Sequence, residues 1–212
     1  MAESKINRAV AYPLVYAYVL GGYMITNHAP GWNPAHLLPL TAIDRATPFL
    51  PWTGWIYVTV FPFPLLAIWL VREERGIRAI LTAFLSAATI CFAVFLAYPT
   101  VYPRPPFAGS GPLDWPLMLI HRLDLATNCW PSMHVTSAFL TAFYVRQYRP
   151  RLGAFLLFWA AAISASTLTT KQHYSWDVAA GTALALAAYA GLRLYFESPE
   201  GIRGGGAVLP AE

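Results

Sequence analysis

The sequence predicts an all-α polytopic membrane protein with six transmembrane helices in one bundle. Three observations carry that expectation. Of 212 residues, 57% are hydrophobic and only 11% charged, whereas soluble chains carry about 25% charged residues. The apolar residues fall in blocks of 16 to 22, close to the ~20 residues a helix needs to cross the hydrocarbon core. The basic residues sit at the ends of those blocks instead of forming a groove or tail, so the net charge of +4 reflects membrane topology and not a nucleic-acid partner. A disordered chain, a disulfide scaffold and a soluble α/β enzyme are excluded.

The spans follow in order. Residues 9–25 form the first; Lys5 and Arg8 precede it, no small-x-small cleavage site follows cleanly, and it reads as a retained span. Residues 52–71 carry Pro62 and Pro64 and should kink, which lipid tolerates when neighbours satisfy the freed carbonyls. Residues 77–98 are the third. Residues 133–148 are the shortest, with a start reaching back to Pro131 or Ser132. Residues 153–170 and 177–196 repeat small side chains, among them Ala179 and Gly181, which suits close helix packing in lipid. Residues 1–197 therefore form one membrane domain, and residues 198–212, with Gly204 to Gly206, read as a disordered cytoplasmic tail. Cys91 lies inside a span and Cys129 in a loop, so neither a bridge nor a CxxC metal pair is expected.

Six spans place both termini and the 72–76 and 149–152 loops on one side. That side holds ten of the fourteen basic residues, so both termini should be cytoplasmic. All five histidines then fall on the outer side, and histidine is the usual proton-transfer residue near neutral pH. Three outer segments carry convergent chemistry. A proline-stiffened loop presents Arg104-Pro105. Pro131-Ser132-Met133-His134 starts the fourth span, and a helix N-terminus favours an anion. Lys171, His173 and Asp177 stand before the sixth span, where the aspartate four residues along can fix the tautomer of the imidazole and leave its other nitrogen nucleophilic. Cations, a helix N-terminus and two histidines describe a phosphate site with an attacking base and a proton donor.

These residues resemble the type-2 phosphatidic acid phosphatase superfamily. Its pattern of Arg-Pro, then Pro-Ser-Gly-His, then Ser-Arg, five residues, His, three residues and Asp is matched by Arg104-Pro105, by Pro131-Ser132-Met133-His134, and by Ser166, His173 and Asp177. The resemblance implies that His173 attacks phosphorus and forms a phosphohistidine, that Asp177 orients it, and that His134 protonates the leaving group. It also implies that Arg104 and Ser132 hold phosphate oxygens. Three positions depart from the pattern: Ala97 replaces the family lysine, Thr167 the family arginine, and Met133 the glycine. Lys171 is the candidate replacement cation. The Lys-Gln-His-Tyr-x-x-Asp style, with Asp44 to Pro51 and Trp55-Ile56-Tyr57, is similar to the inositol-phosphotransferase branch that includes inositol phosphorylceramide synthase.

The implied activity is that of a lipid-phosphate phosphatase on the outer face of the plasma membrane, acting on a membrane lipid phosphate or a polyprenyl (di)phosphate. Transfer of a phospho-headgroup to an alcohol, as the resemblance to inositol phosphorylceramide synthases and to the His-Tyr-x-x-Asp part of sphingomyelin synthases implies, is the alternative, and a degenerate lipid-phosphate binder or transporter is a further one. No Asp/Glu cluster suggests Mg²⁺, so metal independence and no cofactor are expected. Thr167, Met133 and Arg122 are candidate lining residues, and Ser164, Ser166, Thr169 and Thr170 extend that polar lining. His28 and His36 are expected at headgroup level, and Trp32, Trp52, Trp55, Trp115 and Trp130 as an interfacial aromatic belt.

Overall fold

The computed structural model describes residues 6–28 and 34–197. The expected tail at 198–212, Lys5 and Trp32 lie outside the described residues. Among the described residues helix predominates, with strand confined to two short pairs of residues. α1 (Arg8–His28) packs along α5 (Glu74–Ala97). The second apolar block is broken as its prolines demand. A 3₁₀ turn at Pro51–Thr53, the short α3 (Gly54–Tyr57) and a second 3₁₀ turn at Val58–Val60 lead into α4 (Phe63–Leu70), with Pro62 as its N-cap and Pro64 in its first turn. α7 (Met133–Tyr148), α8 (Pro150–Thr169) and α9 (Ser175–Glu197) complete the bundle.

Among the described residues, four stretches are long and apolar enough to cross a membrane: Arg8–His28, Pro51–Leu70, Glu74–Ala97 and Pro150–Thr169. Six were expected. α7 is helical as anticipated but has only 16 residues, fewer than the ~20 of a full crossing. It is the central helix, touching α4, α5, α8 and α9, and residues such as Val135, Leu140 and Val145 are fully buried along it. A helix surrounded on all sides has no polar face, so amphipathic periodicity could not mark it.

Small residues permit the closest approaches, since helices in lipid associate by packing more than by the hydrophobic effect. A Cβ on Gly181 of α9 would sit 2.5 Å from the Ser132 carbonyl oxygen at the start of α7. One on Gly153 of α8 would clash with the backbone of Arg146.

Two loops cover the end of the bundle where α7 and α9 begin. β1 (His36–Leu37) pairs in parallel with β2 (Thr100–Val101), His36 opposite Thr100. α2 (Ala42–Ala46) and α6 (Trp115–Leu123) lie in these loops, and α6 was not anticipated. Trp55 of α3 stacks on Trp115 of α6, with ring centroids 6.2 Å apart. At the other end, Arg8, Arg72 and Arg149 border one cavity of about 500 Å³ with Trp69 and Leu70. Cys91 and Cys129 are both free and buried.

Candidate active site at the His134–His173 pair

The site is built from two helix starts. Ser132 caps α7, its hydroxyl accepting from the Val135 N–H at 3.3 Å. Its own N–H donates to the Asp177 carbonyl at 3.1 Å, and Thr136 Oγ1 donates to the Gly181 carbonyl at 3.0 Å, so the first turn of α7 is docked on that of α9. The turn between α8 and α9 closes as a Schellman motif: the Gln172 N–H reaches the Thr167 carbonyl and the Lys171 N–H the Leu168 carbonyl. Lys171 holds the left-handed position, φ 56°, where glycine is usual. Two residues on, His173 emerges. Asp177 sits at the third position of α9 and accepts from the Tyr174 N–H at 2.8 Å, half of a capping box.

Two imidazoles meet between these starts. His173 Nε2 lies 3.3 Å from His134 Nδ1, and the rings are 5.5 Å apart. His173 is 3% exposed and Asp177 0%. His173 Nδ1 faces two acceptors, Asp177 Oδ2 and the Cys129 carbonyl, each at 3.1 Å. Nδ1 must therefore carry the proton, and in the neutral ring Nε2 holds the lone pair. That lone pair accepts from His134 Nδ1–H, which leaves His134 Nε2 as an acceptor for the Tyr57 hydroxyl at 2.9 Å. The result is one directional chain from Tyr57 through His134 and His173 to Asp177. The other carboxylate oxygen, Asp177 Oδ1, is buried with no hydrogen-bond partner.

The turn that carries His173 is clamped from outside by a residue whose role was not legible in the sequence. Asp44 closes a capping box on α2 with Thr41 and also accepts from the Ser175 N–H at 2.7 Å and the Ser175 hydroxyl at 3.1 Å. Burial opposes its charge, but hydrogen bonds from Thr41 and Ser175 prevail and hold its carboxyl below the ordinary range. Lys171 belongs to the same clamp. Its ammonium donates to the carbonyls of Asp44 at 3.1 Å and Thr47 at 2.6 Å, so it ties loop to loop and is not brought to the histidines as a phosphate cation. Burial, partly offset by Asp44, lowers its pKa.

The expected polar lining from α8 is also corrected. Ser164, Ser166, Thr167 and Thr170 donate to carbonyls three or four residues back and are buried, which is what such hydroxyls do where no water reaches them. Thr167 contributes its carbonyl to the turn instead of lining the pocket.

Arg104 reaches the neighbourhood already paired. Its guanidinium donates to Asp124 Oδ2 at 3.0 Å and to the Asp124 carbonyl at 2.6 Å, while its Nε is buried with no partner. Tyr23 of α1 donates to the other oxygen of Asp124 at 2.8 Å. Burial raises the Asp124 carboxyl, against the pull of Arg104 and Tyr23. Arg122 is exposed on α6. Close by, Gln172 donates to His121 Nε2 at 3.1 Å, and burial, aided by Arg104, pushes His121 down to about 4.

A cavity of about 380 Å³ opens beside His134, bounded by Tyr23, Tyr57, Phe61, Asp124 and Met133 among others. Its walls are apolar apart from Asp124, His134 and a few hydroxyls, a surface suited to hydrocarbon. Cys129, His173 and Asp177 offer donor atoms within 4.8 Å of one another. Burial, then Asp177, holds the Cys129 thiol well above its ordinary pKa, and only a thiolate ligates a metal well.

Residues 32–191 match the family model of the PAP2 superfamily. No curated protein matches the chain.

Proposed function

The chain belongs to the PAP2 superfamily, a group of phosphatases and phosphotransferases, and from that premise we propose that it is a membrane enzyme cleaving a lipid phosphate ester through a phosphohistidine on His173. One observation carries the reading: His173 Nε2, backed by Asp177 at Nδ1, points at a second imidazole 3.3 Å away. The His173 lone pair attacks phosphorus, and the positive charge that the ring acquires faces the Asp177 carboxylate. His134 gives a proton to the departing oxygen, and water then attacks the phosphohistidine, with His134 taking a proton back. In the resting molecule the two rings touch, so an entering phosphoryl group replaces their mutual hydrogen bond. The apolar cavity beside His134 supports a lipid substrate. The convergence of Arg8, Arg72 and Arg149 at the opposite end supports a cytoplasmic location for that end and an outward-facing site in a six-span bundle.

Transfer to an alcohol acceptor, as in the inositol-phosphotransferase branch, is favoured by the charge of the site. Arg104 is neutralised by Asp124 and Lys171 is engaged elsewhere, which suits a singly charged phosphodiester better than a dianionic monoester. The test is purified protein in detergent with phosphatidic acid, a polyprenyl diphosphate, or a phosphodiester lipid plus an alcohol. Free phosphate from the first two supports hydrolysis; acceptor-dependent lipid product with little free phosphate supports transfer. Vanadate binding without turnover of any of them, or substantial activity in His173→Ala, overturns the reading.

A further inference from the structure

His134 has a partner that the catalytic chemistry above does not use. Tyr57, in the short helix between two 3₁₀ turns, is 1% exposed, and its hydroxyl lies 2.9 Å from His134 Nε2. The rings are 4.8 Å apart at their centroids. Tyr23 and Phe61 present aromatic edges to the same imidazole at 5.9 and 6.0 Å. Among the interactions of the described residues, the side-chain hydrogen bonds of His134 run to Tyr57, whose hydroxyl is 2.9 Å from Nε2 and a longer 3.4 Å from Nδ1, and from Nδ1 to His173 at 3.3 Å. The shorter of the two Tyr57 contacts is to Nε2, the nitrogen that does not face His173.

We propose that Tyr57 is a positioning residue that keeps Nδ1 of His134 as the proton-transferring nitrogen in both charge states of the ring. The inference rests on the reading of His134 as proton donor. A hydroxyl suits the task because it both donates and accepts. In the neutral resting ring it donates to Nε2, which leaves the proton on Nδ1. Before substrate is cleaved, His134 Nε2 takes up a proton from solvent, and in the resulting imidazolium Nε2–H donates to the Tyr57 oxygen. The His173 Nε2 lone pair then forms the N–P bond while the bond from phosphorus to the lipid oxygen breaks. That oxygen takes the electron pair and the proton from His134 Nδ1. His134 is left neutral with Nε2–H still held by Tyr57 and its Nδ1 lone pair free to take a proton from water or an alcohol. A carboxylate in the same place would favour the charged ring throughout and oppose proton release.

The consequence is a dependence on the leaving group. An alkoxide needs the proton as it departs, whereas p-nitrophenolate leaves without one. The test compares Tyr57→Phe with wild type by kcat/KM, which reports the steps up to loss of the leaving group, on an alkyl phosphate and on p-nitrophenyl phosphate. Tyr57→Phe keeps the ring and its packing on Leu117 and Ile120. We expect a loss on the order of 10–100-fold on the alkyl ester, a fraction of the 10²–10⁴ that general acid catalysis contributes, and less than threefold on the aryl ester. Retained aryl turnover also shows that the variant folds. An equal loss on both esters, or no loss on either, overturns the proposal. His134→Ala is the reference: if it too loses both equally, His134 is not the proton donor, and the underlying reading fails rather than the part of Tyr57 in it.

Discussion

Asp177→Asn isolates the charge behind the nucleophile from its shape. In the proposed reaction the ring becomes cationic as His173 Nε2 bonds to phosphorus, while Nδ1 remains 3.1 Å from Asp177 Oδ2. Two unit charges about 4 Å apart interact by roughly 4 kcal/mol at an effective dielectric constant near 20, and each 1.36 kcal/mol is about tenfold in rate. Removing the charge should therefore lower kcat on the order of 10³-fold. The asparagine oxygen can still accept from Tyr174 N–H and from the imidazole, so the turn keeps its geometry. Its amide nitrogen takes the place of Oδ1, which is buried and has no hydrogen-bond partner, and an orphaned donor there costs about 1–3 kcal/mol of stability. The assay is steady-state turnover of a lipid phosphate in detergent micelles, with thermal unfolding of the same preparation. Activity within tenfold of wild type, or a loss confined to KM, would refute the argument that Asp177 stabilises a cation formed during the reaction.

Three further outcomes follow from the clamp and the helix contact. Asp44→Asn should cost about 2 kcal/mol through weakened charge-assisted hydrogen bonds, a drop of roughly 4–8 °C in Tm for a chain of this size. Because the folded carboxyl is held below its ordinary value, this contribution is complete above about pH 4 and lost as pH falls through the folded pKa, so wild type and variant should converge in acid unfolding curves. Lys171→Met should lower Tm while leaving KM within about twofold, as expected for bonds to the Asp44 and Thr47 carbonyls; a tenfold rise in KM would put the ammonium on the substrate. Gly181→Ala pushes a Cβ against the Ser132 carbonyl and Thr136 Oγ1 and should reduce kcat at least tenfold, since a shift of about 1 Å in a catalytic group can cost 10². Gly191→Ala, with nothing within 4 Å, is the neutral control, and equal effects of the two would discount the α7–α9 contact.

What the sequence displayed well was local. The i,i+4 spacing of His173 and Asp177 became a 3.1 Å contact, the Pro-Ser pair became a capped helix start, and the run from Ala179 to Gly181 became a backbone approach. Pro62 and Pro64 broke the second block where they stand. What it hid depends on residues far apart in the chain. Tyr57 meets His134 across 77 positions, Asp44 meets Ser175 across 131, and Tyr23 meets Asp124 across 101. No period or motif encodes such pairs. The placement of Lys171 and Thr167 has the same origin: the composition near His173 advertises cations and hydroxyls, and the Schellman turn directs the ammonium to the Asp44 loop while the Thr167 hydroxyl bonds within its own helix.

The same turn explains why a site so poor in free cations holds together. Two carboxylates, Asp44 and Asp177, sit at the N-terminus of α9, where the helix dipole and the unpaired N–H groups favour negative charge. Each therefore contributes to folding before any substrate arrives: Asp44 fixes Ser175, and Asp177 fixes Tyr174 and His173. The orientation of His173, the proposed nucleophile, is a by-product of capping α9, so it is set without drawing on substrate binding energy. Arg104 is subject to the opposite constraint. A half-buried guanidinium without a counter-ion is costly, and Asp124, held in turn by Tyr23, supplies one. In the proposed site a phosphate group would compete with that carboxylate for Arg104, so Asp124→Asn, which removes the competing charge, should lower KM for a lipid phosphate, and an unchanged KM would separate Arg104 from the substrate.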